Sequence, residues 1–195
     1  MVVGITGSIA SGKSLVSNYL KSKNYPVVDS DKISHEVLLL KEVKTELINV
    51  FGSEILNDEK EINRKALGYI IFNDLEKQKQ LQNIVVPYII DEIKKQINSY
   101  TGLVFLDAPL LIEYDLLYLV NKVIVVSVDL DIQIQRLMKR DNITKEYALK
   151  KINSALSREE KEKYADYIVN NNKDINNTYN QVENILQKLG DLYEN

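Results

Sequence analysis

Gly7-Ser8-Ile9-Ala10-Ser11-Gly12-Lys13-Ser14 follows the pattern G-x-x-x-x-G-K-S close to the start of the chain. Glycines at both ends of such a loop let the backbone turn sharply and aim several N–H groups at one point, which makes a nest for phosphate oxygens. Within the pattern Lys13 reaches the outer phosphates, and the Ser14 hydroxyl is placed to ligate Mg²⁺. The flanking sequence supplies the context the motif requires. Residues 2–6, Val-Val-Gly-Ile-Thr, read as a short buried strand, and Leu15, Val16, Tyr19 and Leu20 recur at helical spacing. Strand, loop and helix in that order place the positive end of the helix on the same anion. Residues 7–14 are therefore the candidate triphosphate site.

Composition narrows the rest. The chain has 195 residues, 45% of them hydrophobic, and a net charge of -3. That suits one α/β domain with insertions. The charge balance gives no reason to expect nucleic acid or an anionic membrane as partner, and no apolar run nears the ~20 residues needed to span a bilayer. No basic stretch precedes the first strand, so no signal peptide is expected. There are no cysteines and one histidine, His35. Thiolate catalysis, disulfides and multi-histidine metal sites are thereby excluded. A cytoplasmic setting, where ATP is plentiful, fits this composition. Nothing in the sequence decides between a monomer and a weak homo-oligomer.

Residues 2–6, 26–29, 103–106, 122–128 and 166–169 form five short apolar runs separated by helical patterns, the mark of a parallel sheet covered on both faces. The expected fold is a three-layer α/β/α P-loop domain with a five-stranded parallel sheet. Its core comprises 1–31, 101–129 and 164–195. Residues 32–100 form a helical insertion, and 130–163 form a helical lid. A last helix is expected from Asn176, with Gly190 as its stop. Ligands of such sheets lie beyond the carboxyl ends of the strands, so residues just after strands carry the most information.

The second strand ends Asp29-Ser30-Asp31. One carboxylate there can orient and deprotonate an acceptor hydroxyl during phosphoryl transfer. Asp31 is the candidate base and Asp29 a candidate partner for Mg²⁺-bound water, although both could equally cap the next helix. Asp107 follows the third strand, where a carboxylate that holds Mg²⁺ through water is expected. Residues 136–163 carry nine basic and five acidic side chains. Arg136 and Arg140 share one helical face there, as arginines of a closing lid would, though a solvated helical face has the same pattern. His35, one turn after Asp31, could contact substrate or be structural. The twelve tyrosines are scattered and read as packing residues.

Several segments together, in order over nearly the whole chain, resemble the dephospho-CoA kinase family. Residues 4–14 look like its opening G-x-T-G-G-I-G-S-G-K-S, and Val28-Asp29-Ser30-Asp31 looks like its I-D-A-D. Phe51-Gly52 and Ile62-Asn63-Arg64-Lys65-Ala66-Leu67 look like its F-G and N-R-x-x-L. Pro109-Leu110-Leu111-Ile112-Glu113 looks like its P-L-L-F-E, Gln133 to Leu137 with Arg140-Asp141 looks like its lid, and residues 165–171 look like its closing A-D-x-V-I-x-N. The resemblance implies transfer of the γ-phosphate of ATP, with Mg²⁺, to the ribose 3′-hydroxyl of dephospho-CoA. It implies Asp31 as base, Lys13 and Arg140 on the phosphates, and Asn171 near the adenine. Asp31, His35, Arg64, Pro109 and Leu110 would face the acceptor, and the 32–100 insertion would hold its bulk. The chain departs from the family pattern at Ser8 and Ala10 (usually Gly), Val86 (usually His), Ala155 (often Gln) and Lys173 (usually Gly).

Two other readings compete. One is a kinase of the same architecture with a different small acceptor. The other is a nucleotide-hydrolysing switch. A GTPase would carry N-K-x-D, but Asn121-Lys122 is followed by Val123-Ile124, without the aspartate.

Overall fold

In the computed structural model, which describes residues 1–71 and 74–193, the elements run β1 (Val2–Gly7), α1 (Lys13–Ser22), β2 (Val27–Asp29), α2 (Ser30–Val37), α3 (Lys41–Phe51), α4 (Arg64–Ile71), α5 (Leu75–Asn98), β3 (Val104–Asp107), β4 (Lys122–Ser127), α6 (Leu130–Asp141), α7 (Lys145–Ile152), α8 (Arg158–Glu162), β5 (Tyr167–Asn170) and α9 (Ile175–Tyr193). Short 3-10 turns lie at Ser53–Ile55 and Leu116–Leu119. The chain divides into two compact units, Met1–Asp29 with Ser99–Asn195, and Ser30–Asn98.

The first unit is built on five parallel strands in the order β2-β3-β1-β4-β5. Each strand coincides with one of the five apolar runs to within two residues. Such runs read clearly where both faces of a strand are covered, as in β1, β3 and β4; β5, at the edge of the sheet, leaves Ile168 47% exposed. On one face Val3, Ile5, Phe105, Ile124, Val126 and Val169 pack against Val16 and Leu20 of α1 and against Val182, Ile185, Leu186 and Leu189 of α9. Tyr19 of α1 stacks on Tyr179 of α9, with ring centroids 4.0 Å apart. On the other face the chain after β3 passes so close that a Cβ on Gly4 would lie 2.6 Å from the Leu111 side chain. Thr6, also on that face, donates to the Pro109 carbonyl at 3.0 Å.

One sequence expectation fails. Gly190 does not end α9, which continues to Tyr193. A Cβ at this glycine would meet nothing within 4 Å, and its φ is not positive. A glycine interior to a helix costs about 1 kcal/mol but does not break it; it stops a helix where it takes up a left-handed conformation.

The second unit is helical. Ile33 and Val37 of α2, Val43, Leu47 and Phe51 of α3, Leu67 of α4, and Val85 and Ile93 of α5 are buried. Asn63 starts α4 by accepting from the amides of Lys65 (3.1 Å) and Ala66 (3.2 Å), which satisfies two donors that the first turn would otherwise leave bare. Pro87 lies inside α5.

Candidate active site

The phosphate-binding loop is held from outside by its carbonyls. The Ser8 carbonyl accepts from the Ser11 amide (3.0 Å) and that of Gly12 from the Leu15 amide (2.9 Å). Gln133 of α6 donates to the Ile9 carbonyl at 2.8 Å. Asn171 donates to the Ser11 carbonyl, also at 2.8 Å. In a planar trans peptide the C=O of one residue and the N–H of the next point in opposite directions. Tying the carbonyls of Ile9 and Ser11 outward therefore turns the N–H groups of Ala10 and Gly12 the other way. The first amides of α1, those of Lys13 and Ser14, have no carbonyl one turn earlier to bond. The result is a ring of donors at a helix N-terminus, a site for an anion.

Both fixed glycines are required sterically. Gly12 has φ +93°, and a Cβ there would fall 2.0 Å from the Asn171 amide nitrogen. A Cβ on Gly7 would lie 2.6 Å from both the Ser11 hydroxyl and the Val126 carbonyl. Ala10, by contrast, carries its methyl at φ +58°, a left-handed conformation that costs an L-residue roughly 1–2 kcal/mol. With Ile9, it packs on a small cluster of Ile134, Leu137 and Ala148 from α6 and α7.

Lys13 forms an ion pair with Asp107 at the end of β3. Asp107 is buried and sits in register with Asp29 at the end of β2 and with Ile5 of β1. The carboxyl edge of the sheet thus sets Asp29 and Asp107 side by side, with the loop lysine on the inner one. Ser14 is exposed at the first turn of α1. Among the described residues no group of three or more His, Cys, Asp or Glu side chains could by itself cage a metal. Asp31 lies in the first turn of α2 and His35 one turn later, both exposed. Arg64, the first residue of α4, is exposed and lines an open cavity of about 660 Å³ with Asn57, Ile62, Asn63 and Lys65.

Arg136 and Arg140 differ in their surroundings. Arg136 donates to the Asn171 carbonyl at 2.9 Å, and its guanidinium is 3.8 Å from where a Gly12 Cβ would stand. Arg140, with its side chain 56% exposed, pairs with Asp141 at 2.8 Å, and Lys151 of α7 pairs with the same carboxylate at 2.7 Å. These two cations, Arg140 first, lower the Asp141 pKa to about 2. A cavity of about 620 Å³ separates the tip of the loop (Ser8, Ile9) from the α7–α8 connection, where Ala155 and Ser157 line it.

Gln133 and Lys161 matter here although sequence reading gave neither a role, and Asn171 joins them as a support. Gln133 and Asn171 are the loop's outside supports, and Lys161 is buried at the end of the lid segment. Asn171, expected from the resemblance near the adenine, has its side chain committed elsewhere: Nδ2 to Ser11 and Oδ1 to the Thr178 hydroxyl at 2.8 Å. It is 4% exposed, so this side chain supports the loop. The segment 130–163, expected as a lid, also divides in two. In α8, Arg158 pairs with Asp129 at 2.6 Å and Glu162 accepts from Ser127 of β4 at 2.5 Å, so this helix is fastened to the end of the sheet. No pattern in the sequence links Gln133 to Ile9 or Asn171 to Ser11. The polar types at those positions were the only signal.

Comparison with known proteins supplies the family. The family model described as dephospho-CoA kinase matches residues 1–177. The dephospho-CoA kinase of Oceanobacillus iheyensis is 44% identical over 193 residues, covering 96% of this chain and 97% of that one. The chain belongs to the dephospho-CoA kinase family. Among solved structures, TT1252 from Thermus thermophilus superimposes with a TM-score of 0.85 at 28% identity, covering 97% of each chain. The dephospho-CoA kinase from Campylobacter jejuni does so with a TM-score of 0.66 at 30% identity, covering 96% of each.

Against the dephospho-CoA kinase pattern, the departures fall at distinct places. Ala10 is the strained residue packed on Ile134, Leu137 and Ala148. Ala155 lines the 620 Å³ cavity, where a glutamine would fill space and offer an amide. Val86 stands one residue before Pro87 inside α5. Lys173 is exposed after β5.

Proposed function

We propose that this protein transfers the γ-phosphate of ATP to the ribose 3′-hydroxyl of dephospho-CoA, giving CoA and ADP. The observation that carries the reading is the outward-tied phosphate loop with Lys13 at its mouth, in a chain matched by the dephospho-CoA kinase model over residues 1–177. Phosphoryl transfer needs little from a protein beyond alignment and charge stabilisation, and a preorganised ring of amides supplies both without rearranging during the reaction. Lys13 would leave Asp107 for the outer phosphates. Ser14, Asp107 and Asp29 would hold Mg²⁺ directly or through water. A cation that takes most of its ligands from phosphates and water suits a protein whose described residues form no acidic cage.

Asp31 is the proposed base, accepting the proton of the attacking hydroxyl. Arg140 is the proposed lid arginine, exposed and paired with the neighbouring carboxylate. His35, Arg64, Pro109 and Leu110 are the proposed acceptor contacts. Leu110 is 38% exposed at the carboxyl edge while Leu111 and Ile112 beside it are buried, so its apolar surface is offered outward. No described helix is long and apolar enough to cross a membrane.

The test is ADP release from Mg²⁺–ATP with dephospho-CoA, AMP, CMP, shikimate or no acceptor. Turnover with dephospho-CoA alone is expected. Turnover with another acceptor would retain the chemistry and reject this substrate. Release indifferent to acceptor would make the protein a hydrolase or switch.

A further inference from the structure

Lys161 is 1% exposed, one of the largest fully buried side chains of the described residues. A lysine is almost never buried without a partner, and the reaction outlined above gives it no task. Its ammonium donates to the Pro109 carbonyl at 2.9 Å and to Glu113 Oε2 at 3.0 Å, and lies 2.8 Å from Glu113 Oε1. The Pro109 carbonyl also accepts from Thr6, the residue of β1 just before the phosphate loop. Helix α8 is itself fastened to the sheet through Ser127 and Asp129. The ammonium therefore rests on a rigid base and grips both ends of one short segment, Pro109 to Glu113. Leu110, the exposed residue of that segment, is held between the two grips.

We infer that Lys161 is a positioning residue for the acceptor: it fixes the Pro109–Leu110 wall of the acceptor site through the Pro109 carbonyl and the Glu113 carboxylate, without touching substrate. This inference rests on the dephospho-CoA reading of the site. It separates the two substrates, because the loop carbonyls of Ile9 and Ser11 are held by Gln133 and Asn171 and not by Lys161. Loss of the grip should loosen the acceptor wall and leave the triphosphate nest in place.

The test compares Lys161→Met, Lys161→Arg and the double variant Lys161→Met/Glu113→Gln with the wild-type protein. The double variant removes both charges, so it leaves no unpaired ion buried even if Lys161→Met fails to fold. Steady-state kinetics would be run against ATP and dephospho-CoA separately, with Tm measured alongside. In the folded double variant the KM for dephospho-CoA should rise at least about tenfold, since small displacements of positioning groups carry penalties of that order. The KM for ATP should stay within about twofold of wild type, as expected for an uncoupled site. Lys161→Arg, which keeps the charge but not the ammonium's shape, should fall between. Equal rises in both KM values, or no change in either with the fold intact, would overturn the inference. Wild-type protein inactive on dephospho-CoA but active on another acceptor would reject the substrate reading instead. The same KM comparison with that acceptor would then judge Lys161.

Discussion

Ala10 shows how one residue can work against its own backbone. Its φ of +58° belongs to glycine, and the roughly 1–2 kcal/mol of strain exceeds what a half-buried methyl on the lid cluster returns, about 0.4 kcal/mol at half of a buried CH₂. Ala10→Gly should therefore raise Tm by about 1–3 °C in a chain of this size; scanning calorimetry would show it. A lower Tm would mean that the contact with Ile134, Leu137 and Ala148 outweighs the strain. Asp31 supports a second prediction. Asp31→Asn keeps the side-chain shape and removes the proton acceptor, so ATP affinity should hold while kcat falls by ~10² or more. Unchanged kcat would take Asp31 out of the base role. Residue-scale chemistry was unevenly legible. Lys13 and Gly12 stand in a contiguous pattern that announces itself. Gln133 and Asn171 act on carbonyls 124 and 160 residues away in the chain, and no local spacing encodes such a contact.

Among the elements, α6 and α7 meet through Asp141, which Arg140 and Lys151 grip together. Their charges hold its pKa near 2, below the 3.8 of a free side chain. A carboxylate with a depressed folded-state pKa stabilises fully above its unfolded value and loses that contribution as pH falls toward the folded one. Asp141→Asn should thus lower Tm slightly at pH 7, and its deficit against wild type should shrink as pH drops from about 4 towards 2. A pH series of melting curves checks this; a deficit constant across that range would show that the pair contributes nothing through charge. High salt should shrink the deficit too, since the pair is exposed. The helical pattern of 130–163 was readable, but its division was not. The anchoring of α8 depends on Ser127 and Asp129 at the end of β4, outside the lid segment altogether. The final helix differs for another reason: glycine often ends helices, which makes Gly190 the expected stop, but the end depends on a left-handed turn, which composition does not reveal.

At the scale of the whole molecule, the sheet unit and the helical unit Ser30–Asn98 were foreshadowed by two kinds of periodicity. Short, mostly apolar runs mark the five strands, and a long 3.6-residue pattern marks helices α2 to α5. The strand order β2-β3-β1-β4-β5 was not in the sequence pattern, because adjacency of parallel strands leaves no mark on spacing. That order is what brings Asp107 of β3 against the loop that leaves β1, and with it the ion pair to Lys13. In the proposed reaction this arrangement moves one phosphate from ATP to the ribose of dephospho-CoA. Its most direct test is to incubate the protein with Mg²⁺–ATP and dephospho-CoA, count ADP and product, and locate the new phosphate by phosphorus NMR. One ADP per product is expected, with the phosphate on the ribose 3′-hydroxyl. ADP formed without product, or a phosphate at any other position, would contradict it.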